Sequence, residues 1–118
     1  MNEHRLAEER SIALHREVAA ILRNDPSKLE IARERVRGWQ RDGRVHPHYA
    51  DAWARAIAGP FDDLLNLLVD ESENARALRQ STPFSGIVDP RTRWRIWREV
   101  KEDWTACALH EDVKGTGD

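Results

Sequence analysis

The sequence predicts an all-α fold, a single-domain irregular bundle of five or six short helices. Apolar residues recur at helical spacing through most of the chain, and Pro and Gly residues separate these stretches. With 118 residues, 40% of them apolar and 34% charged, the chain has the size of one domain and enough apolar side chains for a core. We expect one helical domain over residues 1–110 and a flexible polar tail over residues 111–118.

The first helix is expected to begin at Asn2 or Glu3 and to end at Arg23. One arc of this helix should face the core and carries Ala7, Ser11, Leu14, Val18, Ile21 and Leu22. The other side should face water and carries Arg5, Glu9, His15, Arg16 and Glu17. Pro26 stops the helix, because the residue before a proline avoids the α-helical region.

The starts and ends of the next two helices follow from Asp, Pro and Gly residues. Asp25 and Pro26 suit the N-cap and the first position of a second helix, which should end near Gly43. Its inner stripe consists of Leu29, Ala32, Val36 and Trp39. A third helix should open at Pro47 and should close at Gly59 and Pro60, with Gly59 as a left-handed cap and Pro60 as the stop.

Two shorter helices are expected in the middle of the chain. The first spans 61–69, where apolar residues have the spacing of a buried helix, and the second follows a Ser72 cap and ends near Gln80. Residues 81–88 have no helical period, but Phe84 makes this segment apolar enough to be held against the core. We predict a loop there and not a strand, because the sequence offers no partner strand.

The last helix carries the candidate binding residues. Asp89 and Pro90 repeat the start signal of the second helix, and the helix should run to about His110. Arg and Trp are enriched at the hot spots of protein interfaces, and both are concentrated here. We predict a partner-binding surface that is centred on Arg91, Arg95 and Arg98 and bordered by Trp94 and Lys101. The alternative is an ordinary amphipathic helix with its Trp side chains inward and its Arg side chains outward.

The charge distribution leaves nucleic-acid binding open as a second interpretation. A net charge of −2 excludes a bulk polycation, although 16 of the 19 basic residues are arginines. Segments 31–55 and 76–101 are rich in Arg, and they form a basic patch if they share a face. No segment has the pattern of a helix-turn-helix.

The sequence gives little support to an enzyme. It contains no phosphate-binding Gly loop, no His-Glu-x-x-His helix and no nucleophile elbow. The side chains of His46, His48, Cys107 and His110 offer four potential zinc ligands, but their spacing differs from that of paired zinc ligands. We therefore predict no catalytic residues, no metal and no cofactor. A single Cys excludes an internal disulfide, and the lack of a long apolar run favours a cytoplasmic protein without a membrane partner.

One part of the sequence resembles a protein family. It reads LRQSTPFSG over residues 78–86 and DPRTRWRIWREV over residues 89–100. Together with ERS near the start and GRVHP in the middle, it resembles a family of small all-helical bacterial proteins over roughly residues 3–100. The resemblance implies the smaller partner of a two-gene module of the toxin–antitoxin kind, and it implies no catalytic residues.

These observations predict a non-enzymatic protein-binding partner, an antitoxin-like neutraliser of a bacterial toxin. A nucleic-acid-binding regulator that uses an Arg-rich helical face is the alternative. A homodimer is also left open, because an uncovered aromatic patch is uncommon on a monomer.

Overall fold

The computed structural model describes the backbone of residues 3–116 and the side chains of residues 5–106. This part of the chain forms six α-helices and contains no strand, which confirms the all-α prediction. The helices are α1 (Glu3–Asn24), α2 (Leu29–Asp42), α3 (Pro47–Ala58), α4 (Phe61–Val69), α5 (Glu73–Gln80) and α6 (Pro90–Thr116). Short 3-10 turns lie before α2 (Pro26–Lys28) and before α6 (Ser85–Ile87). Among these helices, none is long and apolar enough to cross a membrane.

Polar N-cap residues lie at the start of three of these segments, at the positions that the sequence predicts. The Asp25 carboxylate accepts a hydrogen bond from a backbone N–H at 3.2 Å, in the turn that leads into α2. The Ser72 hydroxyl accepts one from the Ala75 N–H at 3.2 Å at the start of α5. At the start of α6, the Asp89 carboxylate accepts the Thr92 N–H at 2.9 Å, and this bond lowers the pKa of Asp89. Each cap satisfies an N–H group that has no partner inside its helix.

The glycines that follow α2 and α3 have different backbone conformations. Gly43 follows α2 with φ +70°, and its N–H donates to the Trp39 carbonyl at 2.9 Å, as expected of a left-handed cap. The same prediction for Gly59 is wrong, since its φ is −82° and its ψ is −168°. Gly59 precedes Pro60, and a proline holds the residue before it in the extended region. The proline, and not a left-handed glycine, therefore ends α3.

The core lies between α1–α5 and the loop that precedes α6. Trp53 is fully buried, its Nε1–H donates to the Leu78 carbonyl at 3.0 Å, and its ring meets Phe84 edge-on with 5.5 Å between centroids. Phe84 is itself fully buried, which confirms that the non-periodic loop is held against the core. Around this pair pack apolar side chains of the helices, including Val18, Leu22, Val36, Leu64 and Leu68.

Helix α6 packs along α1 in the antiparallel direction. The Arg10 guanidinium carbon lies 3.8 Å from the centroid of the Trp97 ring, and that of Arg5 lies 6.0 Å from the ring of Trp104. Because Trp104 already contacts the first turns of α1, the last turns of α6 extend past the end of α1. A helix of 27 residues is about 40 Å long. The molecule accordingly measures 57 × 29 × 24 Å along its principal axes.

Helix α6 is longer than the sequence predicts. It continues to Thr116 and does not end near His110, so most of the expected tail is helical. No Pro occurs after Pro90, and Glu111 and Lys114 are good helix formers, so the helix continues even through Gly115, which costs about 1 kcal/mol relative to Ala. Residues 117–118, the end of the predicted tail, lie outside the described residues.

His15 does not face water, contrary to the prediction. It is 1% exposed, with Nδ1 2.6 Å from the Ser11 carbonyl and Nε2 2.8 Å from the Thr82 hydroxyl. Because the carbonyl only accepts, Nδ1 carries the proton and Nε2 accepts from Thr82. The Thr82 oxygen in turn accepts the Phe84 N–H at 3.1 Å. This chain of bonds ties the loop to α1, and burial lowers the pKa of His15 to about 4.

Arg79 is also buried, although the sequence places it in an Arg-rich segment that was expected to be accessible. The side chain is 4% exposed, and one guanidinium nitrogen donates to the carbonyls of Asp70 at 2.6 Å and Leu68 at 3.3 Å. These carbonyls belong to the C-terminal end of α4, where backbone oxygens have no partner inside the helix and the helix dipole favours a cation. Arg79 therefore caps the C-terminal end of α4 and is not part of a basic surface.

Candidate functional site

The predicted binding residues lie on the exposed side of α6, and Arg95 also lines the groove between α6 and α1. All five are exposed: Arg91, Trp94, Arg95, Arg98 and Lys101. At 3.6 residues per turn they cover an arc of roughly 120°, and we call them the α6 outer face. Ile96, on the opposite side of the helix, is buried against the rest of the protein. The structure therefore brings together all the residues that the sequence selected.

Trp94 is the large apolar side chain of the outer face. It is 58% exposed, and its ring stacks on Trp97 with 5.1 Å between centroids and 9° between planes. Trp97 is half-buried, and two cations hold it, the Arg10 guanidinium at 3.8 Å and the Lys101 ammonium at 5.3 Å from its centroid. Such cation–π contacts and offset stacking each contribute on the order of 1 kcal/mol. The exposed Trp94 ring is thus held by Trp97, which Arg10 and Lys101 hold in turn.

The charge of the outer face is largely uncompensated. Arg95 pairs with Glu99 at 3.7 Å, and both side chains are more than half exposed, so this pair is weak. Within the part of the chain that the structure describes, Arg91, Arg98 and Lys101 form no ion pair. Glu102 is the acidic residue in the same arc. An anionic group that approaches this face consequently meets cations that are free to pair with it.

The Arg-rich segment 31–55 contributes less free charge than the sequence suggests. Arg33 pairs with Glu30, and Arg37 pairs with Glu34 at 2.8 Å. These pairs join neighbouring turns of α2, as expected for opposite charges three residues apart on a helix. Arg33 and Arg37 are therefore partly compensated by acidic residues of their own helix.

Arg10 is the functional candidate that sequence reasoning missed. It lies on α1, far from α6 in the sequence, and it contacts Trp97 only because the two helices pack together. Its Nε is a buried atom with no hydrogen-bond partner among the described residues. No local pattern in the sequence marks it, since an Arg on an amphipathic helix usually faces water.

A shallow groove of about 570 Å³ runs between α1 and α6, where acidic and basic residues such as Glu9, Arg16 and Glu99 alternate. Among the described residues, no three His, Cys, Asp or Glu side chains group as metal ligands. The side chains of Cys107 and His110, two of the zinc ligands considered above, lie outside the described residues.

No protein-family model, curated protein or solved structure matches this chain. The resemblance of the segment 78–100 to small bacterial proteins therefore stays an expectation. What the chain can bind is inferred from its own geometry.

Proposed function

We propose that this protein is a non-enzymatic binding protein that holds an acidic protein partner against the α6 outer face. The observation that carries the proposal is Trp94, a large exposed indole that is fixed by stacking on Trp97 and lies among unpaired cations. Trp and Arg dominate interface hot spots because they give large, rigid contacts with polar groups at their edge.

The cluster is ordered before a partner arrives. Trp97 is held by Arg10 and Lys101, and Trp94 rests on Trp97. A side chain that is already fixed loses little conformational entropy on binding, so more of the contact energy appears as affinity. The buried contact area of an indole is on the order of 200 Å². Carboxylates of the partner can then pair with the guanidinium groups around it.

The proposed partner is a toxin that this chain neutralises. Support for this step comes from the resemblance of the segment 78–100, which includes most of the outer face. A binding protein of this kind acts by covering its partner, so it needs an interface and no catalytic group.

Nucleic acid is the second candidate, and one observation favours it. The free face of the Trp94 ring is a flat surface of the kind on which bases stack, with Arg98 and Lys101 on the same side of the helix. The internal ion pairs of Arg33 and Arg37 count against an extended phosphate-binding patch. We therefore favour a protein partner over nucleic acid.

Self-association through the same face is disfavoured by charge. Two copies that meet at Trp94 place Arg91, Arg98 and Lys101 of each chain close to the same cations of the other. Like charges brought together at an interface cost several kcal/mol when they lack counter-charges. We expect a monomer in sedimentation experiments at low salt.

The test begins with purification of the protein from its native cell and identification of what accompanies it. The partner is then produced separately, and its dissociation constant is measured for three variants. Trp94→Ala should weaken binding about thirtyfold or more, the loss typical of a hot-spot residue. The triple variant Arg91→Ala, Arg95→Ala and Arg98→Ala should weaken it further, whereas a triple Arg→Ala control at the exposed positions 23, 41 and 55 should not.

The control removes the same charge from other helices, so it separates local contacts from net charge. Unchanged affinity in both Trp94→Ala and the triple variant, with unchanged helicity, contradicts the proposal. Salt-sensitive binding of a single-stranded oligonucleotide that Trp94→Ala abolishes would instead support the nucleic-acid alternative.

A further inference from the structure

A second cleft lies on the other side of Trp97, between α1, the loop over residues 81–88 and α6. Its volume is about 270 Å³. Arg10 comes from α1, Thr82 from the loop, and Arg93, Ile96 and Trp97 from α6. None of the residues of the α6 outer face lines it, although the cleft shares Arg10 and Trp97 with the cluster that supports Trp94.

The charge of the cleft is positive and has no counter-charge. The described residues that line it include two arginines, Arg10 and Arg93, and no carboxylate. The Nε of Arg10 is buried and has no hydrogen-bond partner among the described residues, so the terminal guanidinium nitrogens are the part of Arg10 that can meet a ligand in the cleft. Stacking on Trp97 at 3.8 Å holds the Arg10 guanidinium in place. A donor in this state favours an acceptor that carries negative charge.

Two other polar side chains of the cleft, His15 and Thr82, already form hydrogen bonds. His15 and Thr82 bond to each other at 2.8 Å, and the Thr82 oxygen also accepts the Phe84 N–H. Neither needs a ligand, and the neutral His15 adds no charge. The groups of the described lining that can still form hydrogen bonds are the two guanidinium groups and the Ser11 hydroxyl, which can also donate to a carboxylate.

The rest of the wall is apolar. Leu14, Ile96 and the Trp97 ring form most of it. A cavity of about 150 Å³ holds one benzene molecule, so 270 Å³ has room for one ring and a short polar arm. A hydrated inorganic anion would leave this apolar surface uncovered, whereas an apolar molecule without charge would leave Arg10 unpaired.

We propose that this cleft binds a small monocarboxylic acid with an apolar body of about one ring. The carboxylate pairs with Arg10 and Arg93, and the apolar body packs against Leu14, Ile96 and Trp97. Binding pairs the terminal guanidinium nitrogens of Arg10 with a counter-charge and covers part of the Trp97 indole, while the stack of Arg10 on Trp97 stays in place.

The test uses the full chain and benzoate as the probe, with isothermal titration calorimetry and Trp emission as readouts. Benzyl alcohol serves as the uncharged probe and inorganic phosphate as the anion without an apolar body. Benzoate should bind one to one with a dissociation constant of about 1 mM or lower, and it should change Trp emission. Benzyl alcohol and phosphate should each bind at least about tenfold more weakly, since each lacks one of the two contacts.

Two variants and one control locate the site. Arg10→Gln and Arg93→Gln should each weaken benzoate binding at least about tenfold, because each removes a charged hydrogen bond. Arg93 is exposed and forms no ion pair in the described part of the chain, so its variant is expected to fold even if Arg10→Gln does not. Arg16→Gln removes an exposed charge from α1 outside this cleft and should leave binding unchanged.

Three results would overturn the proposal. The first is the absence of saturable benzoate binding up to about 20 mM, which means that water alone fills the cleft. The second is equal affinity for benzyl alcohol and benzoate, which means that charge plays no part. The third is unchanged benzoate binding by Arg93→Gln, which places the ligand elsewhere.

Discussion

Acidification is expected to destabilise the fold through one side chain, His15. The ring is 1% exposed and bonded on both nitrogens, so a second proton has no place in the folded state. Burial lowers the pKa of His15 from 6.5 to about 4; the bond to the Ser11 carbonyl opposes the shift, and the charge of Arg79 adds to it. The unfolded chain has no such constraint and takes up the proton near pH 6.5.

The pH window and the size of the effect follow from these two pKa values. Above pH 6.5 the ring is neutral in both states, and the stability does not depend on its titration. Below pH 6.5 the unfolded state binds one more proton than the folded state, and stability falls by about 1.4 kcal/mol per pH unit. The loss stops near pH 4, where the folded state also binds the proton. Over this window it amounts to roughly 3 kcal/mol, a large part of the stability of a domain of this size.

The assay is urea unfolding, followed by far-UV circular dichroism, at a series of pH values. His15→Gln removes the titrating ring, so the difference in unfolding free energy between the native chain and this variant isolates the contribution of His15. That difference should fall by about 3 kcal/mol between neutral pH and pH 4. His48→Gln, which changes an exposed histidine, serves as the matched control. The lowered pKa values of Asp70 and Asp89 act below about 3.8, outside the window.

A flat difference between the native chain and His15→Gln over this range would refute the reasoning. It would mean that the ring accepts a proton in the folded state without cost. The His15 ring would then not be held between Ser11 and Thr82 as described.

Further predictions concern stability and are checked by urea unfolding at neutral pH. Gly43→Ala should lose about 1 kcal/mol, because φ is +70° and no atom lies within 4 Å of the new Cβ, so the cost is backbone strain alone. Gly38→Ala, inside α2 with only one contact at 3.9 Å, should gain about 0.5–1 kcal/mol. Arg79→Met should lose about 3 kcal/mol by leaving buried carbonyls of α4 unpaired, and equal stability would contradict its role. Trp53→Phe should lose about 2–3 kcal/mol with the bond to the Leu78 carbonyl.

Local signals in the sequence predicted the local structure well. The bounds of α4 agree with the prediction, and Ser72 caps α5 as expected, because apolar spacing and caps depend on neighbouring residues. The Gly59 prediction failed for a reason that is also local: Pro60 already accounts for the end of α3, so no left-handed glycine is needed.

Contacts between distant segments could not be read from the sequence. His15 is buried because Thr82 of the loop supplies its hydrogen bond, and Arg10 matters because α6 brings Trp97 to it. The sequence predicted which residues form the candidate site, but it did not predict their contacts or how deeply each is buried. Periodicity grouped the Trp residues of α6 on one arc, yet α6 contacts mainly α1, so Trp97 is half-buried while Trp94 remains outside.

The antiparallel packing of the first helix against the last has a consequence for the order of folding. During synthesis α1 leaves the ribosome before α6, and the side that carries Arg10 stays uncovered until the part of α6 that contains Trp97 has emerged. Contacts between neighbouring helices, such as α2 with α3, can form earlier because they close short loops. The docking of α6 is therefore the final step, and until then the nascent chain exposes both the Arg10 side of α1 and the indole rings that α6 will bring to it.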